Sequence, residues 1–191
     1  MALMAEEIVE EWLNRQGYFT IRGIKLGVHE VDLLALRWDP RGEPDCRHIE
    51  VQASMRPVSY ISRVPKADQR LGRAKNSAKR SETELVEGVR EWVETKFLRS
   101  DKRALMSRLW PGQWRSELVV NVVKSEQELA LIAEQGIQIH RLPDIVRALA
   151  KGGFALSSAA GADVVDLILM GARQPTNNEA GVHNSPPGSQ T

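Results

Sequence analysis

Two short apolar runs carry acids at positions where strand packing favours apolar side chains. The first is His29-Glu30-Val31-Asp32-Leu33-Leu34-Ala35-Leu36 and the second is His48-Ile49-Glu50-Val51-Gln52-Ala53-Ser54. Side chains alternate across a strand, so Glu50, Gln52 and Ser54 share one face and Ile49, Val51 and Ala53 the other. With Ile49 and Val51 turned to the core, Glu50 and Gln52 are held rigidly on the opposite face. Pairing of the two runs brings Asp32 beside Glu50. Carboxylates that close repel each other unless a cation stands between them. Oxygen ligands of this kind suit magnesium, with manganese as its substitute. The chemistry is then metal-dependent phosphodiester hydrolysis. The competing reading is structural: a buried carboxylate needs a partner, and Arg22 or Arg37 is near enough in sequence to be one.

The elements that must position these acids can be read in order. Residues 5–16 place Ile8, Val9, Trp12 and Leu13 at helical spacing with glutamates between them, and Gly17 ends that helix. A strand is expected over Tyr18 to Ile24, a second ending near Trp38, a turn over residues 39–45, and a third bearing Glu50: a meander. Residues 57–80 read as irregular or weakly helical, broken by Pro57 and Pro65. Leu85, Val86, Val89, Trp92, Val93 and Phe97 predict an amphipathic helix over Glu82–Phe97. A loop around Trp110-Pro111-Gly112 leads into a buried strand over Glu117–Val123. Ser125 with Glu128 forms the pattern of a capping box, Gly136 ends that helix, a strand runs over Gly136–His140, and Pro143 opens another helix. Strand, helix, strand with so short a connection reads as a parallel βαβ unit.

Charge is sorted along the chain although the net is only +1. That near-neutral total argues against a generic nucleic-acid coat. Between Arg56 and Arg80, however, Arg63, Lys66, Arg70, Arg73, Lys75, Lys79 and Arg80 accumulate against Asp68 alone. This segment is the candidate nucleic-acid contact, placed where a phosphate backbone near the acids would need neutralising. A solvated face with unevenly sorted charge is the alternative. His29 and His48 at strand starts read as surface residues. Trp110 and Trp114 either stack on bases or anchor a loop, the latter being the commoner role.

At 191 residues the chain can bury one core and a small appendage. Residues 1–150 are expected to form the main domain, 151–172 a small helical extension and 173–191 a disordered tail rich in Pro, Asn, Gly and Ser. The single Cys46 excludes a disulfide framework or a cysteine-rich zinc site. No apolar run approaches membrane-spanning length, and the early acids of the N-terminus do not suit a secretory leader. A cytoplasmic location with no membrane association is the expectation.

The order helix, three-strand meander, helix, strand, helix, strand resembles the PD-(D/E)XK restriction-endonuclease-like superfamily, and within it the archaeal Holliday junction resolvase and Mrr-like branch. The matching pieces are Ala5-Glu6-Glu7-Ile8-Val9 through Gln16-Gly17-Tyr18, Val31-Asp32-Leu33-Leu34-Ala35, and Ile49-Glu50-Val51-Gln52, together spanning roughly residues 5–150. The resemblance implies an α/β fold with an αβββαβ core, a mixed central sheet flanked by helices, and a final αβα extension. It implies a magnesium site built from Glu6, Asp32, Glu50 and the main-chain carbonyl of Val51, with Glu7 the neighbouring candidate one step away in helix phase. Asp32, Glu50 and Gln52 are the implied catalytic set. Gln52 departs from the family, which has a lysine there to hold and help deprotonate the attacking water. A glutamine positions water but adds no charge, although some restriction enzymes of this superfamily carry Gln and cleave. Lys25 or an arginine of the basic segment is the expected source of the missing charge. The implied function is a magnesium-dependent endonuclease on DNA, with RNA not excluded, in restriction, repair or phage defence. It would act as a homodimer or within a larger complex. The alternative is a catalytically inactive nuclease-fold subunit that binds nucleic acid or serves as a scaffold.

Overall fold

The computed structural model describes residues 2–54, 56–152, 163, 165–167, 169 and 170. The expected tail over 173–191 lies outside the described residues, as does most of the expected 151–172 extension. The elements are α1 (Ala2–Arg15), β1 (Phe19–Leu26), β2 (His29–Trp38), β3 (Pro44–Gln52), α2 (Lys66–Arg70), α3 (Glu82–Lys96), α4 (Ser100–Leu109), β4 (Trp114–Val120), α5 (Glu126–Glu134), β5 (Gln138–Arg141) and α6 (Leu142–Lys151). The five strands form one sheet in the order β1-β2-β3-β4-β5. β1, β2 and β3 are antiparallel neighbours, whereas β3, β4 and β5 run parallel. The chain is therefore an α/β protein with a mixed sheet flanked by helices. Among the described residues no helix is long and apolar enough to cross a membrane.

Strand alternation divides the core in two. Ile49 and Val51 join Leu33, Ala35 and Val119 under α1 and α6. Leu118 and Val120 turn the other way, onto α3 and α5. Full burial of such side chains stabilises by about 1.5–3 kcal/mol each, which fixes the register and therefore the face on which the polar members of β3 emerge. Helix α1 stops where Gly17 takes φ 84°, and the Tyr18 N–H donates back to the Leu13 carbonyl at 3.1 Å.

The β1–β2 hairpin does not keep one face throughout. Thr20 and Arg22 reach α1, through Glu10 and Asn14 and through Glu7 and Glu10. Two and four residues further on, Ile24 and Leu26 pack with Val31, Leu34 and Met106 of α4. Gly23 between them has φ 67°, a left-handed conformation that glycine enters without a Cβ penalty. The flanking pairs Arg22↔Leu33 and Ile24↔Val31 place Asp32 across from Gly23. Asp32 thus sits where the hairpin turns over, with Val31 and Leu33 committed to different cores.

Three expectations need correction. Helix α4 was not anticipated: its sequence is mostly polar, with only Lys102 and Met106 buried. β3 begins at Pro44, inside the segment expected to be turn. Ser125 does cap α5, accepting from the Glu128 N–H at 3.1 Å, but Glu128 does not complete a capping box. Its carboxylate turns away to the chain at residues 61 and 62, described below. The complete capping box belongs to Ser81 and Glu84 at the start of α3.

Candidate active site

The site lies at the C-terminal end of β3, on the side covered by α3 and α4. Extending the register Leu33↔Ile49 by one step sets Asp32 opposite Glu50. There the Val51 N–H donates to Asp32 Oδ2 at 2.8 Å. Glu50 is fully buried, and three groups converge on it. Lys96 Nζ, from the last turn of α3, donates to Glu50 Oε2 at 2.6 Å. Lys102 Nζ, from α4, donates to Oε1 at 2.5 Å and to the Lys96 carbonyl at 2.8 Å. His48 Nε2, one strand repeat back, lies 3.1 Å from Oε1. The Phe97 ring packs against the His48 imidazole with centroids 5.0 Å apart.

The two carboxylates are driven in opposite directions. Burial is the largest influence on Asp32; with the negative charges of Glu50 and Glu6 it pushes the carboxyl up to about 7, against the pull of Lys96 and the Val51 N–H. Burial alone would raise Glu50 too. The His48 hydrogen bond and the ammonium charges of Lys96 and Lys102 overcome it and hold Glu50 at about 2. Glu6 is raised by burial and then by Glu30, Glu50 and Glu7, whereas Glu7 pairs with Arg22 at 3.2 Å. The helix phase therefore turns Glu6, rather than Glu7, into the field of the site.

The magnesium that the resemblance implies can be tested against this donor set. Among the described residues no three His, Cys, Asp or Glu side chains group into a metal cage. Magnesium does not require one, since it binds through one or two carboxylates, water and substrate phosphate. Asp32 is a carboxylate whose ionisation is opposed by two neighbouring negative charges, which is the condition a hard cation relieves. Glu50 already has three partners, yet a carboxylate offers about four lone-pair sites, and Lys96 is 27% exposed whereas Lys102, at 1%, is buried. By their chemistry Asp32 and Glu50 are oxygen donors that suit magnesium, whereas Glu6 does not group with them into a three-ligand cage.

The structural partners expected for Asp32 are elsewhere: Arg22 is on Glu7 and Glu10, and Arg37 is on Asp45 at 3.3 Å. His48 is no surface residue but a fully buried one. Lys25 is exposed on β1, whereas Lys96 lines the same cleft as Gln52 and bonds Glu50. Trp110 meets Trp38 edge to face at 5.6 Å, and Trp114 donates to the Trp110 carbonyl.

A cleft of about 800 Å³ opens beside the site, with Gln52, Lys96, Trp92, Arg63, Lys66 and Lys75 in its wall. Of the seven basic candidates, Arg63, Lys66 and Lys75 face it. Arg73 is committed to Glu84 at 2.6 and 3.0 Å and to the Lys79 carbonyl at 2.8 Å. Arg80 donates to Ser62 and lies over the Tyr60 ring at 4.2 Å. Arg70 and Lys79 are exposed outside the cleft wall.

The segment expected to be irregular is pinned. Buried Glu128 accepts from the Ile61 N–H at 2.7 Å, the Ser62 N–H at 2.8 Å and the Ser62 hydroxyl at 2.5 Å. Glu91 accepts from the Lys66 N–H at 3.1 Å. A Cβ at Gly88 would stand 2.5 Å from the Arg63 carbonyl oxygen, so only glycine lets the segment lie on α3 there.

No protein-family model matches this chain, and no curated protein matches it. Among solved structures it is similar to the crystal structure of the protein of unknown function AF1548, at 14% identity and a TM-score of 0.42, over 90% of this chain and 100% of that one. The functional reading therefore rests on the site's own chemistry.

Lys96, Lys102 and His48 are the site residues that sequence reasoning missed. Two had a signal. His48 shares the face of Glu50 and Gln52 by alternation, and Lys96 continues the buried stripe Leu85, Val89, Val93 at helical spacing. Lys102, on the unanticipated helix, had none.

Proposed function

We propose that this chain is a magnesium-dependent nuclease that hydrolyses phosphodiester bonds in DNA. The observation that carries the reading is the position of Lys96, 2.6 Å from Glu50 on the side of the sheet that bears Asp32 and Gln52. It supplies, from a helix, the positive charge that the third strand lacks at Gln52. A bound magnesium ion would polarise the scissile phosphate and lower the pKa of the attacking water. Asp32, Glu50 and the Val51 carbonyl would hold it. Gln52 orients the water through its amide, and Lys96 stabilises the negative charge that develops on the phosphate oxygens. Lys102 and His48 act one step back, keeping Glu50 ionised and in place. Arg63, Lys66 and Lys75 neutralise the phosphates of the approaching strand.

A second reading has an observation of its own. Both oxygens of Glu50 are bonded to lysines, and that arrangement suits a nuclease-fold subunit that binds nucleic acid without cutting it. Incubation of the chain with linear, nicked and branched DNA plus manganese, beside an Asp32→Ala control, separates the two. Metal-dependent cutting lost in the control supports the nuclease. Retention of DNA with no cutting under any metal supports the binding subunit.

A further inference from the structure

The cleft beside the site is not a uniform basic surface. Trp92 shares its wall with Lys96, Ile61 and the basic residues Arg63, Lys66 and Lys75. Its ring meets Phe97 edge to face, centroids 5.8 Å apart at 68°, and it is only partly buried against the core. A half-covered indole among cations has the composition of a stacking platform for bases with charges for the flanking phosphates.

Dimensions narrow the ligand. A space of about 800 Å³ is roughly 9 Å on a side, too narrow to enclose a duplex whose major groove alone spans about 12 Å, and within the range of small-ligand sites. Widening is resisted, because Glu128 holds Ile61 and Ser62, Glu91 holds Lys66, and the Arg63 backbone rests on Gly88.

We infer that the cleft receives an unpaired nucleic-acid strand, with one base stacked on Trp92 and the neighbouring phosphates on Arg63, Lys66 and Lys75. The phosphodiester delivered to Lys96 and Gln52 then belongs to a single strand or to a single-stranded flap, not to an intact duplex. This rests on the reading of the site as a nucleic-acid site and specifies its substrate class.

The test uses the full chain carrying Asp32→Asn, so that cutting does not intervene, and fluorescence anisotropy of a labelled oligonucleotide. Three probes are compared: the single strand, its duplex, and the same strand with abasic positions that keep every phosphate. Deoxy and ribo versions of the single strand distinguish DNA from RNA as the source. The single strand is expected to bind about tenfold more tightly than either of the other two. Adding Trp92→Leu, which keeps an apolar side chain against Phe97, should erase the difference between base-bearing and abasic strands while leaving abasic binding unchanged. The comparison on the chain with intact Trp92 does not depend on that variant folding. Equal binding of abasic and base-bearing strands, or tighter binding of the duplex, overturns the inference and leaves the nuclease reading standing. Absence of binding to every probe overturns both, and the cutting assay reports on the nuclease reading separately.

Discussion

Lys96 Nζ stands 2.6 Å from Glu50 Oε2, although the two residues come from a helix and a strand 46 positions apart. The ammonium group that meets Glu50 Oε2 is therefore delivered by the α3 crossover between the parallel strands β3 and β4, and not by the strand that carries the acid. Lys102 secures the arrangement by bonding to both Glu50 and the Lys96 carbonyl.

Asp32 gives the site a pH signature. Its folded-state pKa of about 7 lies above the ordinary 3.8, so its contribution to stability is fully present below 3.8 and is lost as pH rises through about 7. A cation bound at Asp32 reverses this by favouring the ionised form. Manganese should therefore raise the melting temperature more at pH 8 than at pH 6, and Asp32→Asn should remove most of the increment. Thermal melts across that range, with and without metal, measure it. An increment independent of pH contradicts the assignment of Asp32 as ligand.

Lys102 is almost wholly buried against Glu50. Removing one partner of a buried pair leaves an uncompensated charge, at a cost of about 3–5 kcal/mol. Lys102→Met should lose stability on that order, less whatever Lys96 and His48 recover. Lys102→Met with Glu50→Gln should be more stable than Lys102→Met alone. Urea denaturation of the unsubstituted chain, Lys102→Met, Glu50→Gln and the double variant gives the coupling energy, and additive effects would show that the pair does not interact.

Phosphate contacts are predicted for three cations rather than seven. Arg63→Gln, Lys66→Gln and Lys75→Gln should each lower affinity for single strands and flatten the salt dependence by about 0.7 in log–log slope. Arg70→Gln and Lys79→Gln should leave the slope unchanged. Titrations at several salt concentrations distinguish these outcomes.

Glu128 holds the cleft wall from α5. Glu128→Ala should expose the Ile61 and Ser62 N–H groups, and a buried donor left unsatisfied costs about 1–3 kcal/mol. Faster amide exchange confined to the segment around residues 58–75, with weaker strand binding and an intact α5, is the expected result. Uniform exchange across the chain would place Glu128 in the global core instead.

Much of this was legible because strands and amphipathic helices write their burial into simple periods. Ile49 and Val51 alternate against Glu50 and Gln52, and Gly17, Gly136 and Pro143 mark helix ends that the structure contains. The site was legible only where its residues lie on those strands. Lysines on a helix look like solvated charge until the crossover that turns them inward is known, and α4 has too few apolar residues to announce itself. The basic segment misled in another way. Its composition shows seven cations, but Arg73 and Arg80 are used to fold it, and nothing in a charge count separates those from cations facing a ligand. Glu128 carried a capping-box pattern, and the hydrogen bonds of residues 61 and 62 outcompeted it.

If Lys96 does the work of the lysine missing at Gln52, an exchange of charge between the two positions should reveal it. Initial rates of manganese-dependent DNA cutting should be measured for the unsubstituted chain, for Lys96→Met, and for Lys96→Met combined with Gln52→Lys. Loss of electrostatic stabilisation at the reacting phosphate should lower turnover by about 10²–10³ in Lys96→Met with little change in strand affinity. Gln52→Lys should restore a substantial part of that loss. Full activity in Lys96→Met, or no cutting by the unsubstituted chain with any divalent cation, would contradict the account.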